Sequence, residues 1–310
     1  MTSALDIRRL TTLRAVARGG SFAAAAEALW LTPSAISHQM ANLERDARAV
    51  LFERTRRGMR LTQSGWVLAA RAETILTELA CAERELADLA CGRRGGRLRV
   101  GSFPAATAAF VAGALARFHD RHPTIGLDLT DGEAGGHIAR VRAGELDLAL
   151  VSRFGGAPPP SGLRLVALFA DPLLLVVPRG HRLAAAPAAS LADLAGESIL
   201  DCPPGSPWTA ALVRACRDAG IQTPLEPCFR TDDPTALQAL VASGRGIALL
   251  PRLRAEPLHP ALVTRSVERA PEVQVGVVMR GTGDSPSCAA MLDVLREATV
   301  HLAAGGLRAA

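Results

Sequence analysis

Apolar residues recur at helical spacing through the first thirty positions and divide them into two helices. We predict a first helix over residues 6–18, ended by Gly19-Gly20. Its inner face consists of Leu10, Leu13 and Val16-Ala17. The second helix is shorter, begins at the capping hydroxyl of Ser21, and carries the apolar stripe Phe22, Ala25, Ala26 and Leu29. The pattern breaks at Trp30-Leu31, which predicts a tight turn.

A third helix follows the turn and carries the side chains of greatest functional interest. Thr32-Pro33 is an N-cap hydroxyl followed by a proline at the first helical position, and the apolar pattern continues to about Glu44. The inward positions are Ile36, Met40 and Leu43, and the outward ones are Ser34, Ala35, Ser37, His38 and Gln39. Small side chains permit close approach to DNA, and an amide and an imidazole can donate and accept at base edges. We therefore interpret this segment as a recognition helix.

A basic turn comes next. Four arginines lie on either side of Gly58 in this turn: Arg54, Arg56, Arg57 and Arg60. Guanidinium groups on a turn suit contacts to DNA phosphates, so we predict a basic wing here. Residues 1–62 hold ten arginines and five acidic residues, which gives this segment a net charge of +5. The charge that would attract a polyanion is therefore concentrated at this end of the chain.

From residue 62 to residue 91 the pattern becomes that of one long helix with a heptad seam. Its apolar positions alternate spacings of four and three residues: Leu68, Ala72, Ile75, Leu79, Ala82, Leu86 and Leu89. A seam this narrow on a lone long helix indicates dimerisation, and a two-fold dimer would place two recognition helices on a two-fold DNA site. The alternative is an ordinary helix that lies on its own domain.

Beyond a predicted break at 92–96, strands and helices alternate, which indicates an α/β fold class. In the first unit we predict strands at 98–101, 125–129 and 146–151, and helices at 105–122 and 136–143. This order implies a parallel sheet with helices on both faces. A second unit begins near Phe169, with predicted strands at 173–177, 198–200, 224–230, 247–250 and 273–279, and helices at 190–194, 207–219, 234–243 and 287–302. Pro251 is expected to stop the strand before it.

Six motifs in the first 65 residues resemble the winged helix-turn-helix of LysR-type transcriptional regulators in order and spacing. They are GSF at 20–22, AAEAL at 25–29, LTPSAISHQ at 31–39, NLE at 42–44, LFER at 51–54 and LTQSG at 61–65. The alternative, a generic two-helix hairpin packed in a core, does not require this register. The family usually has a leucine-glycine pair where this chain has Ala47-Arg48. Because glycine readily ends a helix in a left-handed conformation, its absence predicts a different C-cap or a longer helix.

The resemblance implies an organisation for the whole chain. Residues 1–62 would be an all-α winged helix-turn-helix domain that binds double-stranded DNA, and residues 63–92 a linker helix that forms a homodimer. Two lobes of an effector domain, similar to periplasmic solute-binding proteins, would comprise residues 97–168 with 269–305 and residues 169–268. Crossing hinge strands are expected at about 164–169 and 262–268. The implied function is a transcriptional regulator with a small-molecule effector, as a dimer or a homotetramer built from dimers, with RNA polymerase a possible further partner.

An effector would bind beyond the carboxyl ends of the strands, where ligands of open α/β sheets bind. Those ends, and positions that often line the cleft in the resembled family, give the candidate residues Ser102, Phe103, Asp131, Ser152, Cys202, Pro203 and Thr231. Helix starts at Ser206-Pro207 and Asp233-Pro234 favour an anion such as a carboxylate. Asp131, Asp201 and Asp232 lie near these ends, so a zwitterion such as an amino acid would satisfy both signs. Each aspartate could equally be a cap or a turn residue.

The amino-acid composition excludes several kinds of catalytic and binding chemistry. All 35 basic residues are arginine and there is no tyrosine, which excludes a Schiff-base lysine, a P-loop lysine and a tyrosine acid or base. No catalytic motif or metal-ligand spacing occurs, so we expect no cofactor, no metal and no enzymatic activity. Neither an apolar run of transmembrane length nor a signal-peptide core is present, so we expect a cytoplasmic protein without a membrane partner.

Two other functions remain open at this stage. Some members of the resembled family sense oxidants through a cysteine pair in the effector domain, and Cys202, Cys216 and Cys228 lie in the corresponding half. The first alternative is therefore a DNA-binding regulator that is switched by cysteine oxidation or has no effector. The second is an enzyme or solute binder on the same two-lobed fold with a vestigial N-terminal domain.

Overall fold

The computed structural model describes residues 5–55, 58–90, 96–154, 160–200, 210, 213–214, 217–218, 231, 233–270, 273–281, 285–304 and 308–309. The chain divides into two compact units, residues 1–94 and residues 95–310. No helix within the described ranges combines the length and the apolarity needed to cross a membrane. The predicted helix at 207–219, the predicted strand at 224–230 and most of the predicted break at 92–96 lie outside those ranges.

Three short helices, a hairpin and one long helix form the first unit. They are α1 (Ile7–Gly19), α2 (Phe22–Ala28), α3 (Pro33–Ala47), β1 (Phe52–Thr55), β2 (Gly58–Leu61) and α4 (Gln63–Ala90). The side chains of Asp6, Ser21 and Thr32 accept hydrogen bonds from the backbone N–H groups at the start of α1, α2 and α3. The predicted caps Ser21 and Thr32 are therefore confirmed, and Asp6, predicted as the first residue of a helix, caps α1. Gly20 ends α1 with a φ of 67°.

Each of these elements contributes residues to one core. Its buried members are Leu10, Leu13, Val16, Ala25, Ala26, Ile36, Met40, Leu43, Leu51, Phe52, Leu61, Ala69, Ala72 and Leu76. The rings of Phe22 and Phe52 meet edge to face with their centroids 5.2 Å apart. Gly65 permits the close approach of α4, since a Cβ there would lie 2.2 Å from the carbonyl oxygen of Leu51.

Helix α3 extends three residues beyond the end predicted at Glu44. It stops because Arg48 adopts the left-handed conformation, with a φ of 51°, that glycine usually supplies. Both consequences expected from the missing glycine are therefore found: the helix is longer and its C-cap is a different residue. The Glu44 carboxylate then accepts hydrogen bonds from the backbone N–H groups of Leu51, at 2.7 Å, and Phe52, at 3.1 Å.

The long helix α4 differs from the prediction in how its apolar residues are used. Ala69, Ala72 and Leu76 are buried in the core of the first unit, so the first half of the helix does lie on its own domain. Of the predicted seam, Ile75 is 44% exposed and Leu86 is 66% exposed. The alternative stated above, a helix that lies on its own domain, therefore applies to the first half of α4.

The second unit alternates strands and helices. In chain order its elements are β3 (Arg97–Ser102), α5 (Pro104–Ala106, continued by a π turn at Thr107–Val111 and by Ala112–Arg121), β4 (Gly126–Asp131), α6 (Ala134–Arg142), β5 (Leu148–Phe154), β6 (Leu163–Asp171), β7 (Leu173–Pro178), β8 (Ala188–Ser190), β9 (Ile199–Leu200), α7 (Pro234–Ala242), β10 (Ile247–Pro251), α8 (Arg252–Ala255), β11 (Leu262–Glu268), β12 (Val273–Arg280), α9 (Pro286–Ala304) and β13 (Arg308–Ala309). Single 3-10 turns lie at Arg182–Ala184 and Leu191–Leu194.

The described strands of the second unit form two sheets, one in each lobe. The first has the order β13-β6-β12-β5-β3-β4, and the second has the order β8-β11-β7-β10-β9. In the first sheet β4, β3 and β5 are parallel as predicted, while β12, β6 and β13 are antiparallel to their neighbours. Helices α5 and α9 cover one face of this sheet and α6 covers the other.

The chain passes between the lobes at other positions than predicted. Strand β6 pairs with β12 through Asp171, so the first sheet continues three residues past the boundary predicted at 168. Strand β11 pairs with β7 and β8 and belongs wholly to the second sheet. The crossings are therefore the short connections from Asp171 to Leu173 and from Glu268 to Val273. Strand β10 ends at Pro251 as predicted, although Pro251 itself is the last residue of the strand, paired with Leu173.

Candidate functional site

The outward face of α3 carries most of the residues predicted to meet DNA. Thr32, Pro33, Ser34, Ser37 and His38 are exposed, and Ala35 is half-buried. The hydroxyl of Thr32, besides capping the helix, lies 3.0 Å from the Ser34 hydroxyl. His38 Nδ1 lies 3.3 Å from the amide nitrogen of Asn42, one turn further along. This face therefore presents small hydroxyls and an imidazole to solvent, a set able to donate and accept hydrogen bonds at base edges.

Gln39 is oriented differently from the prediction. It is half-buried, and its Oε1 lies 2.5 Å from the hydroxyl of Thr12 on α1. Gln39 follows Ile36 by three residues and precedes Leu43 by four. This spacing places Gln39 on the side of the helix next to the buried stripe. The expectation that its whole side chain points outward is therefore wrong.

The hairpin forms the predicted wing. Its strands pair with Phe52 opposite Leu61 and Thr55 opposite Gly58. Arg60 is exposed on β2, and the backbone of Arg54 lies in β1. The side chain of Arg54 and the whole of Arg56 and Arg57 lie outside the described part of the chain. Ser21 is half-buried, and its hydroxyl accepts a hydrogen bond from Ala24 N–H at 3.1 Å, so it acts as the cap of α2.

The second unit has a cleft between its lobes. The cleft has an empty volume of about 610 Å³, part of it open to solvent, and its lining residues are Phe103, Pro104, Ala105, Glu133, Ala134, Ser152, Asp171, Pro234, Pro251, Leu253 and Arg254. Phe103 and Ser152 were predicted from the sequence, and the structure brings them together. The lining combines apolar surface with two carboxyl groups and one guanidinium group, a mixture typical of small-molecule sites.

Other predicted effector residues do not line this cleft. Ser102 is completely buried; its backbone carbonyl accepts hydrogen bonds from Gly132 N–H at 3.0 Å and lies 2.9 Å from the Nε2 of the buried His137. Asp131 is exposed and accepts a hydrogen bond from the Thr107 hydroxyl at 3.0 Å. The Thr231 hydroxyl accepts one from Asp233 N–H at 3.2 Å, a turn role of the kind left open above. Cys202 and Pro203 lie outside the described residues.

The sequence did not predict the three charged residues of the cleft, Glu133, Asp171 and Arg254, and Asp171 is the most deeply buried of them. It is only 2% exposed, and both of its carboxyl oxygens lie 3.4 Å from the backbone nitrogen of Leu253. Burial raises the pKa of this carboxyl to about 7, against the opposing effects of backbone hydrogen bonds from Leu253 and Arg252 and the charge of Arg252. The available signal was a single acidic residue within the long apolar run 165–178.

A helix-turn-helix with a hairpin wing, joined to a two-lobed α/β unit with a cleft, defines a DNA-binding regulator with an effector domain. Residues 7–66 match the family model described as bacterial regulatory helix-turn-helix protein, lysR family. Residues 92–300 match the LysR substrate binding domain. The chain therefore belongs to the LysR family of transcriptional regulators, which confirms the predicted family and fold class. Members of this family are regulators and not enzymes, so the expectation of no enzymatic activity is also confirmed.

Individual relatives agree with this assignment. The chain is 34% identical to the HTH-type transcriptional regulator CbbR of Sinorhizobium medicae over 248 residues, which is 79% of this chain and 77% of the relative. It is 29% identical to the DNA-binding transcriptional dual regulator OxyR of Escherichia coli over 256 residues, 82% of this chain and 81% of OxyR. Among solved structures, full-length CbnR in complex with its target DNA has a TM-score of 0.54 and 26% identity, and the match covers 95% of this chain and 99% of CbnR.

Proposed function

We propose that the chain recognises a specific DNA sequence through the outward face of α3, with the β1–β2 hairpin on the adjacent phosphates. The observation that carries this proposal is the exposure of Ser34, Ser37 and His38 on a helix whose opposite face is buried in the domain core. Thr32, Pro33, Ala35 and Gln39 complete the proposed surface, with Ser21 supporting it from α2. Arg54, Arg56 and Arg57 are proposed to bind phosphates from the wing. Such a regulator would act in the cytoplasm.

Two variants separate base recognition from phosphate binding. Because His38 is proposed to meet a base edge, His38→Ala should weaken binding to the target by about 1–3 kcal/mol and leave binding to random DNA almost unchanged. Arg56→Ala should weaken binding to all sequences and reduce the slope of affinity against salt by about one unit. Both are measured by fluorescence anisotropy at several salt concentrations. If the two variants behave alike on target and random DNA, this division of roles is wrong.

We further propose that residues 63–92 pair two copies of the chain. The support is the exposure of Ile75 and Leu86, two residues of the predicted seam that the core of the first unit does not bury. A two-fold dimer would present two recognition helices to a two-fold site, and a tetramer could form from two such dimers. We also keep the four-part division of the chain as a proposal, with the lobe boundary moved from 168 to 171.

For the effector we propose a carboxylate, and more specifically an amino acid. Arg254 supplies the cationic group of the cleft and the Ser152 hydroxyl can donate to a carboxylate, while Asp171 and Glu133 can accept from an ammonium group. A bound effector would then favour one degree of lobe closure and thereby change how the paired DNA-binding domains are spaced on DNA.

A thermal-shift panel tests the effector class. The panel consists of amino acids, the matching carboxylic acids without the amine, and the matching amines without the carboxylate. An amino acid should raise Tm more than either fragment. Arg254→Gln should remove the response, whereas Arg245→Gln, at an exposed arginine in the turn after α7, should retain it. A response to amines alone would overturn the proposed class.

A second candidate is regulation by cysteine oxidation. The chain is 29% identical to OxyR and 29% identical to a protein named hydrogen peroxide-inducible genes activator, which keeps this candidate open but does not favour it over a small-molecule effector. Cys202, Cys216 and Cys228 would be the reactive residues; of the described cysteines, Cys288 is buried and Cys81 is half-buried. Gel shifts after treatment with peroxide or with a reductant decide the matter, because an identical DNA affinity in both states excludes this candidate.

A further inference from the structure

Trp30 occupies the turn between α2 and α3 with almost its whole indole in solvent. It is 94% exposed, and among the large apolar residues of the described part of the chain the next most exposed is Val50, at 67%. An indole is among the costliest side chains to leave in water, since it can bury a large apolar area. The position therefore contributes nothing to the core of the first unit.

The backbone at Trp30 also disfavours a tryptophan. Its φ is 55°, in the left-handed region that suits glycine and asparagine. The turn requires this conformation, because Trp30 N–H donates to the Glu27 carbonyl at 3.3 Å and Leu31 N–H donates to the Ala26 carbonyl at 2.9 Å, the bonding pattern of a helix end. The fold alone would be served better by glycine, so the tryptophan needs an explanation outside the folded domain.

The location of Trp30 indicates what covers it. It precedes Thr32, the N-cap of the recognition helix, by two residues, and it continues the exposed surface formed by Thr32, Pro33 and Ser34. In helix-turn-helix proteins the start of the recognition helix enters the major groove, so the turn before it lies over the sugar–phosphate backbone at the groove edge. An indole can pack against deoxyribose there and donate its Nε1–H to a phosphate oxygen.

We propose that Trp30 is a DNA-contacting residue whose indole packs on the sugar–phosphate backbone beside the recognition helix. This inference rests on the proposed DNA-reading role of α3. A second copy of the chain is less suited than DNA to cover Trp30, because a stable protein–protein interface buries about 800 Å² on each partner. Among residues 27–34, the only large apolar side chain exposed besides Trp30 is that of Leu31, which is 41% exposed.

The proposal predicts effects of opposite sign on stability and on DNA affinity. Trp30→Gly should raise the Tm of the DNA-binding domain transition by about 2–4 °C, because it relieves the left-handed backbone. It should also raise the dissociation constant for target DNA by about three- to tenfold, since the indole contacts are lost. Trp30→Phe, which keeps a ring but lacks the N–H donor, should give an intermediate loss of affinity. Both are compared in the full-length protein by calorimetry and by fluorescence anisotropy.

Other outcomes overturn the proposal in distinguishable ways. A lower Tm for Trp30→Gly would show that the indole packs on the protein itself. A changed oligomeric state by light scattering, with unchanged affinity per dimer, would assign Trp30 to an interface between copies. If His38→Ala weakens target binding and Trp30→Gly does not, the inference fails while the proposed function stands. If neither variant affects DNA binding, the recognition surface itself is wrong.

Discussion

The hydroxyl of Thr12 on α1 lies 2.5 Å from Oε1 of Gln39 on the recognition helix. The same hydroxyl lies 3.0 Å from the carbonyl oxygen of Arg8. A hydroxyl carries one proton and cannot donate to both oxygens. Both contacts are satisfied if the amide is turned, so that Gln39 Nε2 donates to Thr12 and Thr12 donates to Arg8. The Gln39 carbonyl would then face outward as an acceptor for the amino group of adenine or cytosine.

This pairing predicts that Thr12 influences base preference without touching DNA. Thr12→Val keeps the volume but frees the amide to rotate, so discrimination at one base pair should fall by part of the 1–3 kcal/mol that a good base contact supplies. Thr12→Ser should retain wild-type preference because it keeps the hydroxyl. Preference is measured by competition among target duplexes that differ at single positions. Equal preference profiles for Thr12→Val and the wild type would exclude this role.

The left-handed conformation of Arg48 predicts a stabilising substitution. Arg48→Gly should raise the free energy of unfolding of the DNA-binding domain by about 1 kcal/mol, because glycine adopts a φ of 51° without steric cost. Urea unfolding followed by circular dichroism measures this difference. Arg45→Gly is a useful comparison, since that residue lies within α3 and the same change should destabilise the domain by a similar amount. A destabilising effect of Arg48→Gly would show that the arginine side chain makes a compensating contact.

The seam of α4 predicts where a charge disrupts dimerisation. Leu86→Glu should shift the protein from dimer towards monomer in analytical ultracentrifugation, because it places a carboxylate in the proposed apolar seam. Ala87→Glu adds the same charge at the neighbouring exposed position, about 100° around the helix, and should leave the dimer intact. Equal behaviour of the two variants would contradict pairing through this seam.

Asp171 predicts a pH dependence of the effector unit. Burial raises the pKa of its carboxyl to about 7, whereas in the unfolded chain the value is near 3.8. The folded state therefore binds the proton more tightly, so the stability contributed by the protonated form is complete below pH 4 and is lost as pH rises through 7. Arg252 favours ionisation of this group and Glu256 opposes it.

The variant Asp171→Asn should abolish the loss of stability that the effector unit shows as pH rises. Relative to the wild type, the variant should gain thermal stability as pH rises from about 4 to about 7, and the difference should stay nearly constant above pH 7. Differential scanning calorimetry at several pH values measures the effector-unit transition in both proteins. Parallel curves for the wild type and the variant would show that Asp171 does not titrate in this range.

The sequence predicted local structure well wherever local chemistry decides it. The caps Ser21 and Thr32 and the buried stripe of α3 are found as expected, because N-caps and helical spacing depend on neighbouring residues. The family predicted from the six motifs is the family to which the comparisons assign the chain. The C-terminal end of α3 was misplaced because Arg48 supplies a left-handed cap that residue preferences assign to glycine.

The effector cleft was harder to predict because it depends on distant parts of the chain. Phe103 and Ser152 follow from the rule on strand ends, but Ser102 is buried by His137 from α6, a contact that spacing along the chain does not reveal. Asp171 enters the cleft only because β6 runs further than expected and meets α8, whose sequence is about eighty residues away. Long-range pairing of this kind carries no local signal.

The most direct test of the central claim is a footprint and gel shift of the purified protein on the DNA beside its own gene, with random DNA as competitor, at two salt concentrations. The wild type should protect a defined site and withstand competitor, and His38→Ala should lose that selectivity while it still binds random DNA. Binding to this DNA and to other genomic fragments that is no tighter than binding to random sequence would contradict the claim that the chain is a sequence-specific regulator acting through α3.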